Sequence, residues 1–437
     1  RSVSAFLLNR SSDLEHCGQW TTQNKVLGGA YINFISAARV TTNLSERGVA
    51  SMPLELDWGA DNVMMEVAQE DFIKNSLTLF GYAYTDDKMQ PLRELFAYAT
   101  KAYIYKLTSG GAKAENTYAT AKCCGIRGND LKVAIAANVD GDGFDVKLYL
   151  DAQLVDSQTV ASAADLKENA WVTWKETALE ATAGVPLAGG TNGTVNGEVH
   201  QKYLDLLESY TVNTIGVSVS DATTAKLYAA FAKRMRDKVG AKFQAVLYNC
   251  AADYEGVINV KNSPDVIPWV VGLEAACGVN ATCTNAIYDG ELEIDTAYTQ
   301  TQLENAVKAG EFVLHSVGTE VRVLEDINSL VTLTEDKNEL FQSNQTIRVL
   351  DQIAMDIASL FNTKYHGKVQ NNESGRISLW NDIASHHKQL EQLGAIENFS
   401  EDDVVVSAGS EKRGVYVEDK VTIVNAMSQL YMTVVIE

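Results

Sequence analysis

The stretch 421–437 constrains this chain most. From Leu430 it alternates, with Leu430, Met432, Val434 and Ile436 on one face and Tyr431, Thr433 and Val435 on the other. That is the two-residue period of a strand, built from β-branched and aromatic types with no Gly or Pro to interrupt it. Terminal segments are ordinarily polar and frayed, so an apolar strand here is expected to need a sheet that receives it. Two sheets qualify: one in the same domain, or one in a neighbouring subunit reached by strand addition. The pattern alone leaves both open.

At 437 residues the chain has room for roughly three domains with their own cores. Its net charge of −21 argues against a nucleic-acid partner, which would need a basic footprint. No uninterrupted apolar run reaches the length of a membrane span, so no membrane insertion is expected. With only five prolines, rigid linkers are few and the domains are expected to abut. Among the six cysteines, Cys17 and Cys250 stand alone, Cys123 and Cys124 are adjacent, and Cys277 and Cys283 lack a C-x-x-C spacing. Neither a metal site nor a disulfide framework follows; reduced, mostly buried thiols fit best, with a Cys277–Cys283 bridge as the alternative. The apolar run 5–8 is too short for a secretion signal, so residues 1–19 are expected to be a disordered leader.

The remaining chain divides by period and punctuation. Residues 20–100 read as an extended arm with a flexible joint at Gly28 and Gly29, a β-favouring run over 31–35, and a second strand over 48–56. Pro53 in that second strand suits an edge or a bend. Two amphipathic helices follow, near 70–79 and 89–100. Residues 101–182 switch to strands over 102–107, 131–137, 144–150 and 171–174 with glycine-rich turns between them, which reads as a β-sandwich. Residues 183–334 open on a glycine-crowded boundary. They then alternate strand and helix: strands over 212–219, 243–248 and 258–260, helices over 222–239 and 267–277, then a capping box at Thr301–Glu304 and a strand over 312–315. Residues 335–437 begin with the longest helix, whose apolar stripe runs from Ile347 to Phe361 with Asp351 and Asp356 off it. A second helix over 377–393 and late strands complete an α+β unit. The fold class is therefore multidomain, α/β plus β.

Catalytic patterns do not survive inspection. Asp140-Gly-Asp-Gly-Phe-Asp145 lacks the ligand order and closing Glu of a calcium loop and reads as a hairpin turn. The glycine-rich 187–193 lacks the G-K-[ST] end of a phosphate loop. Gly216, Ser218 and Ser220 lie in a strand and do not make a nucleophile elbow. His315 reads as a sheet residue, and His386 and His387 as an exposed helix face. The competing functional reading is an α/β hydrolase or nucleotide-binding enzyme using 187–193; otherwise no catalytic, cofactor-binding or metal residue is expected.

Several stretches in order resemble one family. They are Thr22-Gln-Asn-Lys-Val-Leu-Gly-Gly-Ala-Tyr-Ile-Asn-Phe34, Met52-Pro-Leu-Glu-Leu-Asp-Trp-Gly59, Gly111-Ala-Lys-Ala-Glu-Asn-Thr-Tyr-Ala-Thr120 and Gly125-Ile-Arg-Gly-Asn-Asp-Leu131. Leu187-Ala-Gly-Gly-Thr-Asn-Gly193, Gly394-Ala-Ile-Glu-Asn-Phe399 and Leu430-Tyr-Met-Thr-Val-Val435 complete the set. From about residue 20 onward the chain resembles the contractile-tail sheath protein of phages and phage-derived particles or bacteriocins of Gram-positive bacteria. The resemblance implies an arm, a β-sandwich, a subtilisin-like α/β domain and a C-terminal assembly domain. It also implies six-fold rings stacked helically around a tail tube protein, with baseplate and tail terminator proteins as further partners. The setting would be a virion or tail-like particle made in the bacterial host cytoplasm. Exchanged strands would come from Tyr31, Ile32, Phe34 and Ile35 and from Leu430, Tyr431, Met432, Val434 and Ile436, with Gly28 and Gly29 as hinge. The implied protein is a structural subunit without a cofactor, not an enzyme.

Overall fold

The computed structural model describes residues 44–436 apart from 140 and 142. The leader, the joint at Gly28 and Gly29, and the strand residues Tyr31, Ile32, Phe34 and Ile35 lie outside the described residues.

The described chain begins with β1 (Val49–Leu54), β2 (Met64–Ala68), α1 (Gln69–Phe80), α2 (Gln90–Phe96) and β3 (Lys101–Lys106). Gly81 stops α1 in a left-handed conformation, its N–H donating to the Leu77 carbonyl. Seven strands follow: β4 (Lys113–Glu115), β5 (Ala119–Cys124), β6 (Leu131–Ala137), β7 (Phe144–Leu150), β8 (Gln153–Val160), β9 (Val172–Trp174) and β10 (Thr182–Pro186). Strand and helix then alternate through α3 (Gly197–Leu207), β11 (Thr214–Val217), α4 (Ala222–Arg234), β12 (Gln244–Tyr248), β13 (Val257–Val260), α5 (Ile267–Ala276), α6 (Gln300–Lys308) and β14 (Glu311–Phe312). After the hairpin of β15 (Leu314–Val317) and β16 (Glu320–Val323) come α7 (Asn344–Leu360), α8 (Glu373–Gln392), β17 (Ile396–Glu397), β18 (Val404–Ala408), β19 (Val415–Asp419) and β20 (Thr422–Ile423).

The central sheet has the order β14-β13-β12-β11-β1-β3-β2. Its strands run parallel except β2, which is antiparallel to β3. Alternation along each strand divides two cores. Ala50, Met52, Ala102 and Ile104 face α2 and α5, whereas Tyr103, Tyr105, Ile215 and Leu247 face α3 and α4. Gly216 has a physical reason: a Cβ there would lie 2.3 Å from Val271 Cγ2, so only glycine lets α5 seat against β11. The second layer pair packs β10-β6-β7-β8 against β4-β5-β9 around Leu131, Val133, Leu148 and Val172, a β-sandwich core closed by Trp58 against Trp171 at 5.5 Å.

Several expectations change. The strand over 102–107 belongs to the central sheet and not to the sandwich, because β3 pairs with β1 along its whole length. β1 is likewise an interior strand and not an edge. Pro53 is tolerated because residues of its parity face β11, as the Val49 carbonyl does in accepting Asn213 N–H, and the paired register with β11 ends at Ser51. The capping box is Thr299 with Gln302, so α6 starts before Thr301; both T-x-x-Q and T-x-x-E fit the pattern, and the earlier one nucleates the turn. The longest helix is α8 with 20 residues, against 17 for α7. β6 and β7 pair antiparallel as a hairpin, with Asp145 accepting from Asn138 and Thr159.

Candidate assembly interface

Helix α7 shows an organisation that its apolar stripe did not suggest. Asn344, Gln345, Thr346, Arg348, Asp351, Gln352 and Asp356 are all buried beside Ile347, Val349 and Leu360. This polar face meets the α/β layer through charged hydrogen bonds. Arg236, just past α4, grips Asp351 with both guanidinium termini. Arg348 reaches Glu274 of α5 at 2.5 Å and Asp326 at 2.6 Å, with all three side chains buried. Gln244 of β12 donates to Asn344 at 2.9 Å.

The Glu274–Asp326–Cys283 cluster has donor atoms within 4.8 Å of one another, the spacing of a small metal site. The Arg348 guanidinium already supplies the counter-charge there. Burial, then the neighbouring Asp326 charge, pushes the Glu274 carboxyl well above its ordinary range. Burial alone would also push Asp326 up, but the Arg348 charge and hydrogen bonds outweigh it and hold that carboxyl down to about 2. Asp326 therefore pairs with Arg348 as the ionised carboxylate, while burial favours the neutral form of Glu274. Cys277 and Cys283 are free thiols, so the alternative of a bridge is not realised.

Helix α8 starts at Asn372, whose side chain caps the Gly375 N–H, and lies between α7 and a ribbon made of β18 and β19. Trp380 Nε1 donates to the Val404 carbonyl at 2.9 Å, which ties the ribbon to the helix. His386 and His387 are buried at this junction, contrary to the exposed face expected for them: α7 on one side of α8 and the β18–β19 ribbon on the other leave neighbouring positions no solvent. Each of the pairs β18–β19 and β17–β20 is two-stranded, so each leaves both outer edges without a ladder partner among the described residues.

The terminal segment leaves this unit just after β20. Gln345 receives it, donating to the Val424 carbonyl and accepting from Ala426 N–H. Beyond that point Leu430, Tyr431, Met432, Val434 and Ile436 are all at least 70% exposed. They form no ladder with any described strand, and Val435 on the opposite face is exposed as well. The expected strand is thus not formed within this chain's described sheets. Alternation creates a face, but a strand also needs a partner.

The glycine-rich 187–193 is a brace. Ala188, Thr191 and Thr194 donate their N–H groups to the carbonyls of Glu115, Ala112 and Ser109, and Gly190 N–H goes to Asn129. A Cβ at Gly190 would lie 2.4 Å from the Gly125 carbonyl oxygen. Four of its seven amides, those of Leu187, Ala188, Gly190 and Thr191, are bonded internally, so the stretch ties strands together instead of turning its N–H groups to a ligand.

Sequence reading missed the buried polar residues Arg236, Glu274, Asp326, Arg348 and Asp351. One signal was present: Gln345, Arg348, Gln352 and Asp356 recur at helical spacing, a second stripe beside the apolar one.

Four family profiles match consecutive parts of the chain. They are the tail sheath protein Gp18 domain III N-terminal region over 47–107, the phage tail sheath protein beta-sandwich domain over 107–192, the phage tail sheath protein central domain over 193–329 and the phage tail sheath C-terminal domain over 336–437. Braced loops, an ion-knit helix and open strand edges in such a chain define a structural protein, not an enzyme. The phage-like element PBSX protein XkdK of Bacillus subtilis is 31% identical over 95% of this chain and 99% of its own length. The sheath tail protein of Desulfitobacterium hafniense superposes with a TM-score of 0.81 at 35% identity, covering 92% of this chain and 98% of that one. The helical sheath of the anti-feeding prophage in its contracted state shares the fold at a TM-score of 0.58 and 12% identity, over 94% of this chain and 99% of that one. The chain belongs to the phage tail sheath family.

Proposed function

We propose that the chain polymerises as six-fold rings stacked helically around a tail tube protein, and that the polymer contracts to drive the tube through a target cell envelope. The observation that carries this reading is the uncharged segment Met427 to Ile436, exposed and outside any described sheet, on a unit whose β18–β19 ribbon has open edges among the described residues. Leu430, Tyr431, Met432, Val434 and Ile436 pair with such a ribbon on a neighbour, and Tyr31, Ile32, Phe34 and Ile35 supply a second donated strand. Each ladder hydrogen bond contributes on the order of 1 kcal/mol net, and apolar burial adds about 25 cal/mol per Å². Ring closure multiplies these links through effective concentration.

Contraction is then a change of packing between rigid bodies, with the strand mesh intact and Gly28 and Gly29 as joint. The bodies are a subtilisin-like α/β layer, whose one sheet joins β1–β3 of 20–106 to β11–β14 of 183–334, the β-sandwich within 107–192, and 335–437. The buried ion pairs Arg236–Asp351 and Arg348–Asp326 on α7 support rigid coupling of the last body to the α/β layer. Baseplate and tail terminator proteins complete the particle, a virion or tail-like device made in the host cytoplasm. Negative-stain microscopy of a variant lacking residues 430–437 tests this reading. A folded protein without tubes is expected; tubes of normal length would sink the donated-strand role.

A further inference from the structure

The two adjacent histidines of α8 are linked end to end with two carboxylates. His386 Nε2 lies 3.0 Å from Asp356 Oδ2 on α7, and His387 Nε2 lies 2.8 Å from Asp419 Oδ2 at the end of β19. Between them the two Nδ1 atoms face each other at 3.3 Å. The chain Asp356–His386–His387–Asp419 thus has three contacts, and each needs one proton between its heavy atoms. Two neutral imidazoles carry two protons and two carboxylates carry none. However those two are placed, one contact remains as lone pair against lone pair, in a site where both rings are buried.

We propose that the folded protein binds a third proton in this chain, carried as an imidazolium–imidazole hydrogen bond with a carboxylate at each end. The other groups around the pair are spoken for. Asp356 also accepts from Ser45 Oγ at 2.5 Å and Gln352 Nε2 at 2.8 Å. Burial would push that carboxyl up, but its bonds from His386, Ser45 and Gln352 outweigh burial and hold it below its usual range, which leaves the proton on the imidazole side. From the loop before β18 the Phe399 ring covers His387; of the charged groups there and on α8, Glu391 accepts from Phe399 N–H, Asp403 accepts from Ser400 N–H, and Glu401 pairs with Lys388. The result is a proton-dependent clasp joining α7, α8 and the ribbon. Its consequence for assembly, that proton loss loosens the ribbon which receives a neighbour's strand, rests on the proposed function. The proton itself does not, and is tested on the unpolymerised chain.

Asp419→Asn separates the possibilities. An amide can turn its NH2 towards His387 Nε2, so two neutral imidazoles then satisfy all three contacts and the third proton is not required. Denaturant unfolding of both proteins is followed from about pH 7 to about pH 9, where free histidine is neutral. There the folded wild type holds one proton more than its unfolded chain, so its stability falls as pH rises. Its folded-to-unfolded ratio is expected to drop about tenfold per pH unit relative to the variant while the proton is retained. Parallel profiles would overturn the proposal. So would a difference abolished by a chelator, which would put a metal ion between the two Nδ1 atoms. Should the variant fail to fold, imidazole C2–H exchange measured by mass spectrometry on the wild type decides, with exposed His366 as reference. One imidazolium across the pair where His366 is neutral supports the clasp, and two neutral rings overturn it.

Discussion

Arg236 and Asp351 meet through two parallel hydrogen bonds, Nη1 to Oδ2 at 2.6 Å and Nη2 to Oδ1 at 2.7 Å, both side chains buried. They are 115 positions apart in sequence, so the pair fastens α7 to the end of α4. Removing one partner strands the other charge in the interior. Asp351→Ala is expected to cost about 3–5 kcal/mol in urea unfolding, whereas exchanging both residues for apolar ones of similar volume costs less.

A contrast is expected between the two carboxyls at Arg348. Burial favours the neutral form of Glu274, so Glu274→Gln is expected to change little, under about 1 kcal/mol. Asp326→Asn removes the ionised partner of Arg348 and is expected to cost about 3 kcal/mol or more. Because the Asp326 carboxyl is held down to about 2, its contribution is complete above its unfolded value. It is lost as pH falls from about 4 towards that lower value. Acid unfolding curves of wild type and Asp326→Asn should therefore converge below that window; a constant gap would contradict the assignment.

Gly216→Ala tests the seating of α5. With Val271 Cγ2 at 2.3 Å and Ile267 Cγ2 at 3.0 Å from the added carbon, the helix must move away from β11. A loss of about 1–3 kcal/mol is expected, and pairing with Val271→Ala should restore part of it in a double-mutant cycle.

The exposed segment separates folding from assembly. Charges placed at Met432 and Val434 together should leave the thermal midpoint unchanged, because neither side chain packs against the described chain. They should abolish tubes, since both lie on one strand face. Thr433→Asp, on the opposite face, is expected to weaken tubes less. Sedimentation alongside calorimetry reads both effects.

Much of the fold was legible because it is written in periodicity. The two-residue alternation of 131–137 and 144–150 gave β6 and β7 with their observed ends, and helical spacing gave α1, α2 and α5 within a few residues. Topology was harder. Strand 102–107 looks the same whether it continues the sandwich or joins β1, and only long-range pairing decides. Pro53 misled because a missing N–H matters only on the side where a neighbour pairs. The buried polar junction was illegible for a different reason: Arg348, Asp351 and the two histidines read as surface until their partners, 22 to 115 positions away, are known. The alternation over 430–436 specified which side chains share a face but not who stands opposite.

The described segment from Met427 to Ile436 contains no charged residue, in a chain whose net charge is −21. Its last seven residues, from Leu430, are all apolar or β-favouring and none is charged; held in water they form the kind of sequence that stacks on copies of itself. Like-charge repulsion between the rest of each molecule keeps such segments apart, and salt shortens its range to about 8 Å at physiological ionic strength. If subunits add through this segment as proposed, newly made ones live in a colloidal window: crowded enough to be captured by a growing end, yet repelled enough not to clump before one exists.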